Sequence, residues 1–155
     1  MSIKHVFLGG DCGRTTWRKD IAIPALEKAG ISYYDPQYPE GGWHVIPNIV
    51  EIEAKAKAEA KQILVVISGE TRATASIMEA TEWVLSGNFV HLVINDVPEG
   101  TVIDGQEVRG RDLRDANRSR AYLRDLVARR RPSLPVHKTV EDAVEAVIGI
   151  ARYLT

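Results

Sequence analysis

The sequence predicts a doubly wound α/β domain, in which helices cover both faces of a five-stranded parallel sheet. The central observation is that two runs rich in Val, Ile and Leu, residues 63–67 and 89–95, flank a helical segment. Such short apolar runs are typical of strands that are buried on both faces of a parallel sheet. A second observation is that strands and helices alternate along the chain. Together they predict the strand order 2-1-3-4-5.

Glycine, proline and capping residues set the bounds of each predicted element. Strands are predicted at residues 3–8, 31–34, 63–67, 89–95 and 136–138. Helices are predicted from Thr15 or Thr16 to residue 29, at 48–62, around 76–80, at 112–131 and after the cap Thr139. Pro24 should kink the first helix, and residues 101–108 should form a hairpin that turns at Asp104-Gly105. The chain over 1–155 is therefore predicted to be one flavodoxin-like domain.

Composition narrows the classes of partner and compartment. The chain has 155 residues with 20 basic and 21 acidic side chains, so its net charge of −1 favours neither nucleic acid nor a membrane surface. The single cysteine, Cys12, cannot form an intrachain disulfide, and the 4 histidines lack the spacing of metal ligands. No apolar run approaches the roughly 20 residues that span a bilayer, and the N-terminus has no signal-peptide pattern. We therefore expect a cytoplasmic protein without a metal site.

Glu79 is the first candidate for a catalytic role. It lies about one turn into the third predicted helix, facing the edge where open parallel sheets build their ligand sites. Small residues at 73–76 leave room beside it, and Ser76 on the same helical face can hydrogen-bond the carboxylate or a sugar hydroxyl. A carboxylate in this position can attack an oxocarbenium-like sugar carbon. The alternative is a structural glutamate that the helix dipole favours near the helix start.

Glu53 is the second candidate acid. It falls on the same face of its predicted helix as Ile49, Ala56 and Ala60, whereas Glu51 points to solvent. A buried carboxylate without a partner is costly, so we expect Glu53 to have a partner or a function and to lie within about one bridging water of the pocket at Glu79.

Polar loop residues at the same edge are candidates for substrate binding. Gly9-Gly10 lets a ligand approach the backbone, although it lacks the spacing of a dinucleotide fingerprint. Asp35 and Gln37 can orient a base or a sugar hydroxyl, and Asp-Pro is also a common start of an ordinary turn. Ser68 begins the turn that precedes Glu79.

Aromatic and cationic side chains near this edge each have two interpretations. Trp17 and Trp43 can stack on a base, and packing at the core or rim is the alternative. Residues 109–131 hold nine arginines against three aspartates. Such a run is typical of a solvated helix face, and it also fits contact with phosphate or with a partner subunit.

The order and spacing of these motifs resemble the nucleoside 2-deoxyribosyltransferase-like family over most of the chain. The segments that carry the resemblance are 6–10, 17–18, 35–37, Glu53, 76–80, 87–94 and 115–123. The resemblance implies a flavodoxin-like fold and cleavage of the N-glycosidic bond of a (deoxy)nucleoside or nucleotide. It places the family's nucleophile on Glu79 and its helical acid on Glu53. The last segment adds Asn117 as a substrate-binding candidate.

The same resemblance implies a homo-oligomer that acts on a small nucleoside or nucleotide. No metal or organic cofactor is expected, because the leaving base needs only a proton donor. The turn over 69–74 lacks the aspartate that the family's transferases carry before the nucleophile. Three functions therefore remain open: a glycosyl-transferring enzyme, a nucleotide N-hydrolase and a non-catalytic nucleotide-binding module.

Overall fold

The computed structural model describes residues 4–39 and 42–154, and its main feature is a five-stranded parallel sheet. In chain order the strands are β1 (Val6–Gly10), β2 (Tyr33–Tyr34), β3 (Gln62–Ile67), β4 (Val90–Ile94), β5 (Val102–Ile103), β6 (Gln106–Glu107) and β7 (Val136–His137). The sheet has the order β2-β1-β3-β4-β7, with every pairing parallel. This confirms the predicted flavodoxin-like order. Strands β5 and β6 form the predicted antiparallel hairpin.

Helices cover both faces of the sheet. They are α1 (Ile23–Lys28, preceded by a π-helical turn at Arg18–Ala22), α2 (Gly42–Val45), α3 (Ile49–Glu59), α4 (Thr74–Ser86), α5 (Gly110–Arg130) and α6 (Val140–Ala151). Helices α1 and α6 contribute to one apolar core, and α3, α4 and α5 contribute to the other. None of the helices in 4–39 and 42–154 is long and apolar enough to cross a bilayer.

The alternation of side chains along β3 explains why both faces of the sheet must be covered by helices. Ile63, Val65 and Ile67 pack under α4 and α5, whereas Leu64 and Val66 pack under α1 and α6. Each of these side chains is at most 2% exposed. A strand that is buried on both faces reads as a continuous apolar run, which is the pattern that the sequence shows.

Several predicted element bounds were wrong, including the start of the second strand, which lies at Tyr33 rather than at residue 31. The first helix is not capped by Thr15 or Thr16: it begins with the π-helical turn, where the N–H of Ile23 bonds the carbonyl of Arg18. Pro24 follows directly, so the wider turn comes just before the residue that lacks an N–H. The alanine-rich helix ends at Glu59 rather than 62, because Gln62 is already the first residue of β3. The first strand was predicted from residue 3, but residues 4 and 5 precede the strand, which begins at Val6; residue 3 itself lies outside the described residues.

Other local predictions were confirmed. The hydroxyl of Thr139 accepts a hydrogen bond from the N–H of Asp142 at 3.1 Å, and α6 begins at the next residue. Asp104 and Gly105 both have positive φ, 51° and 78°, at the turn of the hairpin. These signals are local, which is why they could be read from a few residues.

Candidate functional site

A cleft lies at the carboxyl end of β1, between α3 and α4. It has two adjoining compartments of about 280 and 520 Å³. The inner compartment lies against the end of β1, and the outer one lies between the two helices. Four residues line both: Trp43, Glu53, Lys57 and Glu79. The boundary between the compartments is therefore made of two carboxylates, an ammonium and an indole.

Gly9 and Gly10 form the floor of the inner compartment. A Cβ on Gly9 would lie 3.2 Å from the Trp83 ring, and a Cβ on Gly10 would lie 2.4 Å from the carbonyl oxygen of Val66. Gly10 also has a φ of +129°, which disfavours any side chain. Packing within the fold is sufficient to require both glycines, and their exposed backbone still borders the cleft.

Glu79 reaches the cleft from the second turn of α4, and its side chain is 38% exposed. Its Oε1 atom forms an ion pair and hydrogen bond with Nζ of Lys57, a residue of α3. The same ammonium lies 5.5 Å from the ring centre of Phe7 and 5.6 Å from that of Trp83. Cation–π attraction at these distances helps to hold the lysine over the two rings. Lys57 thus links the candidate nucleophile to the aromatic part of the core.

Glu53 is partly buried on the cleft side of α3, whereas Glu51 is exposed. Burial raises the pKa of the Glu53 carboxyl, and the nearby charge of Glu79 acts in the same direction. The Lys57 ammonium and the Trp43 indole N–H oppose this rise in pKa. Glu53 is therefore more easily protonated than an ordinary glutamate, which suits it to giving a proton to a leaving group.

Two fully buried arginines brace the loops at this edge. Arg18, in the π-helical turn before α1, donates from Nε to the carbonyl of Leu8 at 3.0 Å and from Nη2 to that of Gly10 at 2.8 Å. Its Nη1 donates to the carbonyl of Asp11 at 3.1 Å and to Oε1 of Gln37 at 3.3 Å. The end of β1 and the loop after it are thereby fixed.

Arg120, from the middle of α5, plays the same part at the end of β3. Its Nη2 donates to the carbonyls of Ser68 and Thr71 at 2.7 and 2.8 Å, and its Nε donates to that of Asn95 at 2.8 Å. The side chain is 0% exposed. The prediction of a solvated face for the arginine run was therefore wrong at this position. Arg120 fixes the turn that leads into α4 and so fixes where Glu79 stands.

Several predicted binding residues are engaged in these same loops and do not line the cleft. The Nε2 atom of Gln37 donates to the carbonyls of Gly13 and Thr15, and Asp35 accepts the N–H of Gln37 at 2.9 Å. Both Asp35 and Gln37 border a separate depression, and Pro36 between them borders the cleft.

Three more of the predicted binding residues are also engaged within the fold. Ser68 accepts the N–H of Glu70 in a local turn. Asn117 binds both backbone groups of Val97, at 2.8 and 3.0 Å, and Trp17 is buried in the core. Ser76, in contrast, lines the inner compartment and is 5% exposed.

The structure also brings residues to the cleft that sequence reasoning did not select. Asp11, Cys12, Lys57 and Trp83 all line it. A signal for Lys57 was present, because it lies four residues after Glu53 and hence on the same helical face. Within the residues that the structure describes, no group of three or more His, Cys, Asp or Glu side chains could hold a metal ion.

A comparison with protein families decides where this chain belongs. Residues 3–97 match the model described as nucleoside 2-deoxyribosyltransferase like. The chain belongs to the nucleoside 2-deoxyribosyltransferase-like family. The matched region of this family member runs from β1 to just beyond β4 and so includes Glu53, Lys57 and Glu79. A search of curated proteins found no match.

Proposed function

We propose that this protein cleaves the N-glycosidic bond of a (deoxy)nucleoside or nucleotide, with Glu79 as nucleophile and Glu53 as proton donor. The observation that carries the proposal is that two carboxylates in different environments face one cleft. Burial raises the pKa of Glu53, while Glu79 carries the ion pair with Lys57. Pairs of carboxyls that differ in this way divide into acid and nucleophile in glycosidic-bond enzymes.

The proposed reaction has two steps. An oxygen of Glu79 forms a bond to the anomeric carbon while the bond from that carbon to the base nitrogen breaks, and the electron pair leaves with the base. Glu53 supplies the proton that neutralises the leaving base. Water or a second base then attacks the same carbon, the bond to Glu79 breaks, and Glu53 takes back a proton. Both steps use only carboxyl chemistry, so we propose that no cofactor takes part.

The shape of the cleft suits a ligand with a flat base and a polar sugar. Its two compartments together are of the size of ordinary small-molecule sites, which span about 300–1,000 Å³. Trp43 is 41% exposed and lines both compartments, which places its indole where it can stack on a base. Ser76 offers a hydroxyl in the inner compartment beside Glu79.

The test is to incubate the purified protein with a panel of nucleosides and nucleotides, in ribo and deoxyribo forms, and to measure release of free base. Adding a second base to the mixture separates transfer from hydrolysis. Mass spectrometry of the quenched reaction should show a sugar adduct on the peptide that contains Glu79. Absence of base release across the whole panel would refute the proposed N-glycosidic cleavage.

A non-catalytic nucleotide-binding module is the second candidate. It is favoured by two observations: the turn before α4 contains no aspartate, and the Glu79 carboxylate is already paired with the Lys57 ammonium. Calorimetric binding of a panel member without base release would support this candidate. Base release that follows the concentration of protein would exclude it.

We also propose that the protein is a homo-oligomer, as the family membership suggests. Light scattering at micromolar concentration tests the assembly, and a monomer mass would refute it.

A further inference from the structure

We propose that Lys57 is a positioning residue that selects which oxygen of Glu79 attacks the sugar. This inference rests on the proposed function, and it concerns a residue to which the proposed chemistry gives no role. The geometry behind it is the contact of one ammonium with one carboxylate oxygen and two aromatic rings.

Glu79 is restrained by few contacts. Its side chain is 38% exposed, and in the described part of the chain the carboxylate has one hydrogen-bond partner, Nζ of Lys57. A glutamate has three side-chain torsions, and the last of them is broad. Without the lysine, the carboxylate would turn freely at the cleft surface.

Lys57, in contrast, is held by side chains of the core. Its side chain is 23% exposed, and its ammonium lies over the rings of Phe7 and Trp83. Those rings are 1% and 7% exposed, and the Phe7 ring is stacked on Tyr34 with centroids 5.4 Å apart. The position of Nζ is thus defined by side chains of the core of the fold. An ammonium placed in this way can impose its own position on a mobile carboxylate.

The two carboxylate oxygens of Glu79 are therefore not equivalent. Lys57 binds Oε1, so Oε2 is the atom that forms the bond to the anomeric carbon as the electron pair of the breaking bond leaves with the base. In the resulting ester Oε1 is the carbonyl oxygen, and it keeps its hydrogen bond to Lys57. When water or a second base attacks the anomeric carbon, the bond to Oε2 breaks and its electron pair returns to the carboxylate, whose charge the ammonium stabilises. Lys57 thereby assists both steps through Glu79.

The test compares Lys57→Met, which keeps the length of the side chain and removes its charge, with Lys57→Arg, which keeps the charge. Lys55→Met is the matched control, because Lys55 lies on the same helix with a side chain that is 62% exposed and pairs only with Glu59 in the described residues. We expect Lys57→Met to lower kcat for base release by about 100-fold, the size of effect that loss of orientation produces. KM should stay within about 3-fold, since the interaction is made to the nucleophile and not to the substrate.

The remaining measurements separate positioning from a merely structural role. Each kcat is taken at the pH optimum of its own variant, because removing Lys57 also changes the surroundings of Glu53. Lys57→Arg should restore kcat to within about 10-fold of the parent protein, because an arginine can also pair with a carboxylate and lie over a ring. Thermal unfolding of all variants identifies any that fails to fold.

The outcomes distinguish this inference from the function on which it rests. Near-normal kcat in Lys57→Met overturns the proposed role of Lys57 but leaves the proposed N-glycosidic cleavage unaffected. The role of Lys57 is equally overturned if the loss is in KM, or if Lys57→Arg is as impaired as Lys57→Met. A parent protein that releases no base from any panel member overturns both proposals.

Discussion

The carboxyl groups of Glu53 and Glu79 enter one cleft from two different helices, and they are not equivalent. Burial raises the pKa of Glu53, and the charge of Glu79 adds to the rise. Lys57 lies close enough to oppose that rise while it pairs with Glu79. Changing any one of these three side chains therefore alters the environment of the other two.

Replacing Glu79 by glutamine should abolish turnover and preserve the fold. The amide keeps the shape of the side chain and removes the charge that attacks, so we expect kcat for base release to fall by about 1,000-fold or more. Glu145→Gln is the control, because Glu145 is exposed on α6, on the opposite face of the sheet. If Glu79→Gln turned over at a rate close to that of the control, Glu79 would not be the nucleophile.

The rate of base release should fall as the pH rises through the pKa of Glu53. Glu53 must be protonated to donate to the leaving base, and its pKa is raised, so the falling limb should lie above the usual range of a carboxyl. Lys57→Met should move this limb to still higher pH, because the lysine lowers the pKa of Glu53. Profiles of kcat/KM against pH measure both effects. Glu51→Gln should leave the limb in place, and a Glu53→Gln variant that kept it would assign it to another group.

Arg120 should be far more important for stability than its neighbours in the arginine run. Arg120→Met leaves the carbonyls of Ser68, Thr71 and Asn95 without their donor, and we expect a loss of about 3 kcal/mol or more in the free energy of unfolding. Arg118→Met is the matched control, since Arg118 is exposed two residues earlier on α5, and it should change the free energy by less than about 0.5 kcal/mol. Urea unfolding measures both. Equal losses would show that Arg120 is not a brace.

His91 should make the protein less stable in mild acid. Its ring is 0% exposed and lies between Oε1 of Gln62 at 2.8 Å and Nε2 of His137 at 3.3 Å. Burial, with a smaller contribution from His137, lowers the pKa of His91 from 6.5 to about 4. The folded state thus resists protonation, and the stability that this histidine contributes is complete above about pH 6.5 and is lost as the pH falls toward 4.

The expected loss from this one group is on the order of 3 kcal/mol. Chemical unfolding at several pH values between 7 and 4, roughly the range over which the histidine titrates, measures the slope. His91→Gln should flatten the slope, even though it lowers stability at neutral pH. His44→Gln, at an exposed position, should leave the slope as it is. An unchanged slope in His91→Gln would assign the acid sensitivity to other groups.

The sheet and the helices that cover it could be predicted from the sequence, because those features depend on repeating patterns of apolar and polar residues. Apolar runs identified β3 and β4, and the hairpin and the cap at Thr139 followed from a few turn-forming residues. The shared cleft position of Glu53 and Glu79 was also accessible, since helical periodicity placed the first on the apolar side of α3.

What sequence reasoning could not reach depends on contacts between residues far apart in the chain. Nothing local to Arg120 distinguishes it from the exposed arginines around it, because four of its five acceptors lie 25 to 52 residues away. From the sequence alone, Gln37 was a good candidate for a ligand contact. In the structure, its side-chain amide donates instead to the carbonyls of Gly13 and Thr15. The ion pair of Lys57 with Glu79 spans 22 residues and two helices. Polar side chains can be counted from a sequence, but their partners are set by the fold.

The braces formed by Arg18 and Arg120 act almost entirely on main-chain carbonyls, those of Leu8, Gly10 and Asp11 for one and of Ser68, Thr71 and Asn95 for the other. Every amino acid supplies the same carbonyl. The side chains of the loops at this edge can therefore be exchanged without removing the acceptors that hold the loops in place. Libraries that randomise positions 11–14 and 70–72 around an unchanged Arg18 and Arg120 should keep a high fraction of folded members. This edge of the sheet is thus a suitable starting point for selecting altered ligand preference by directed evolution.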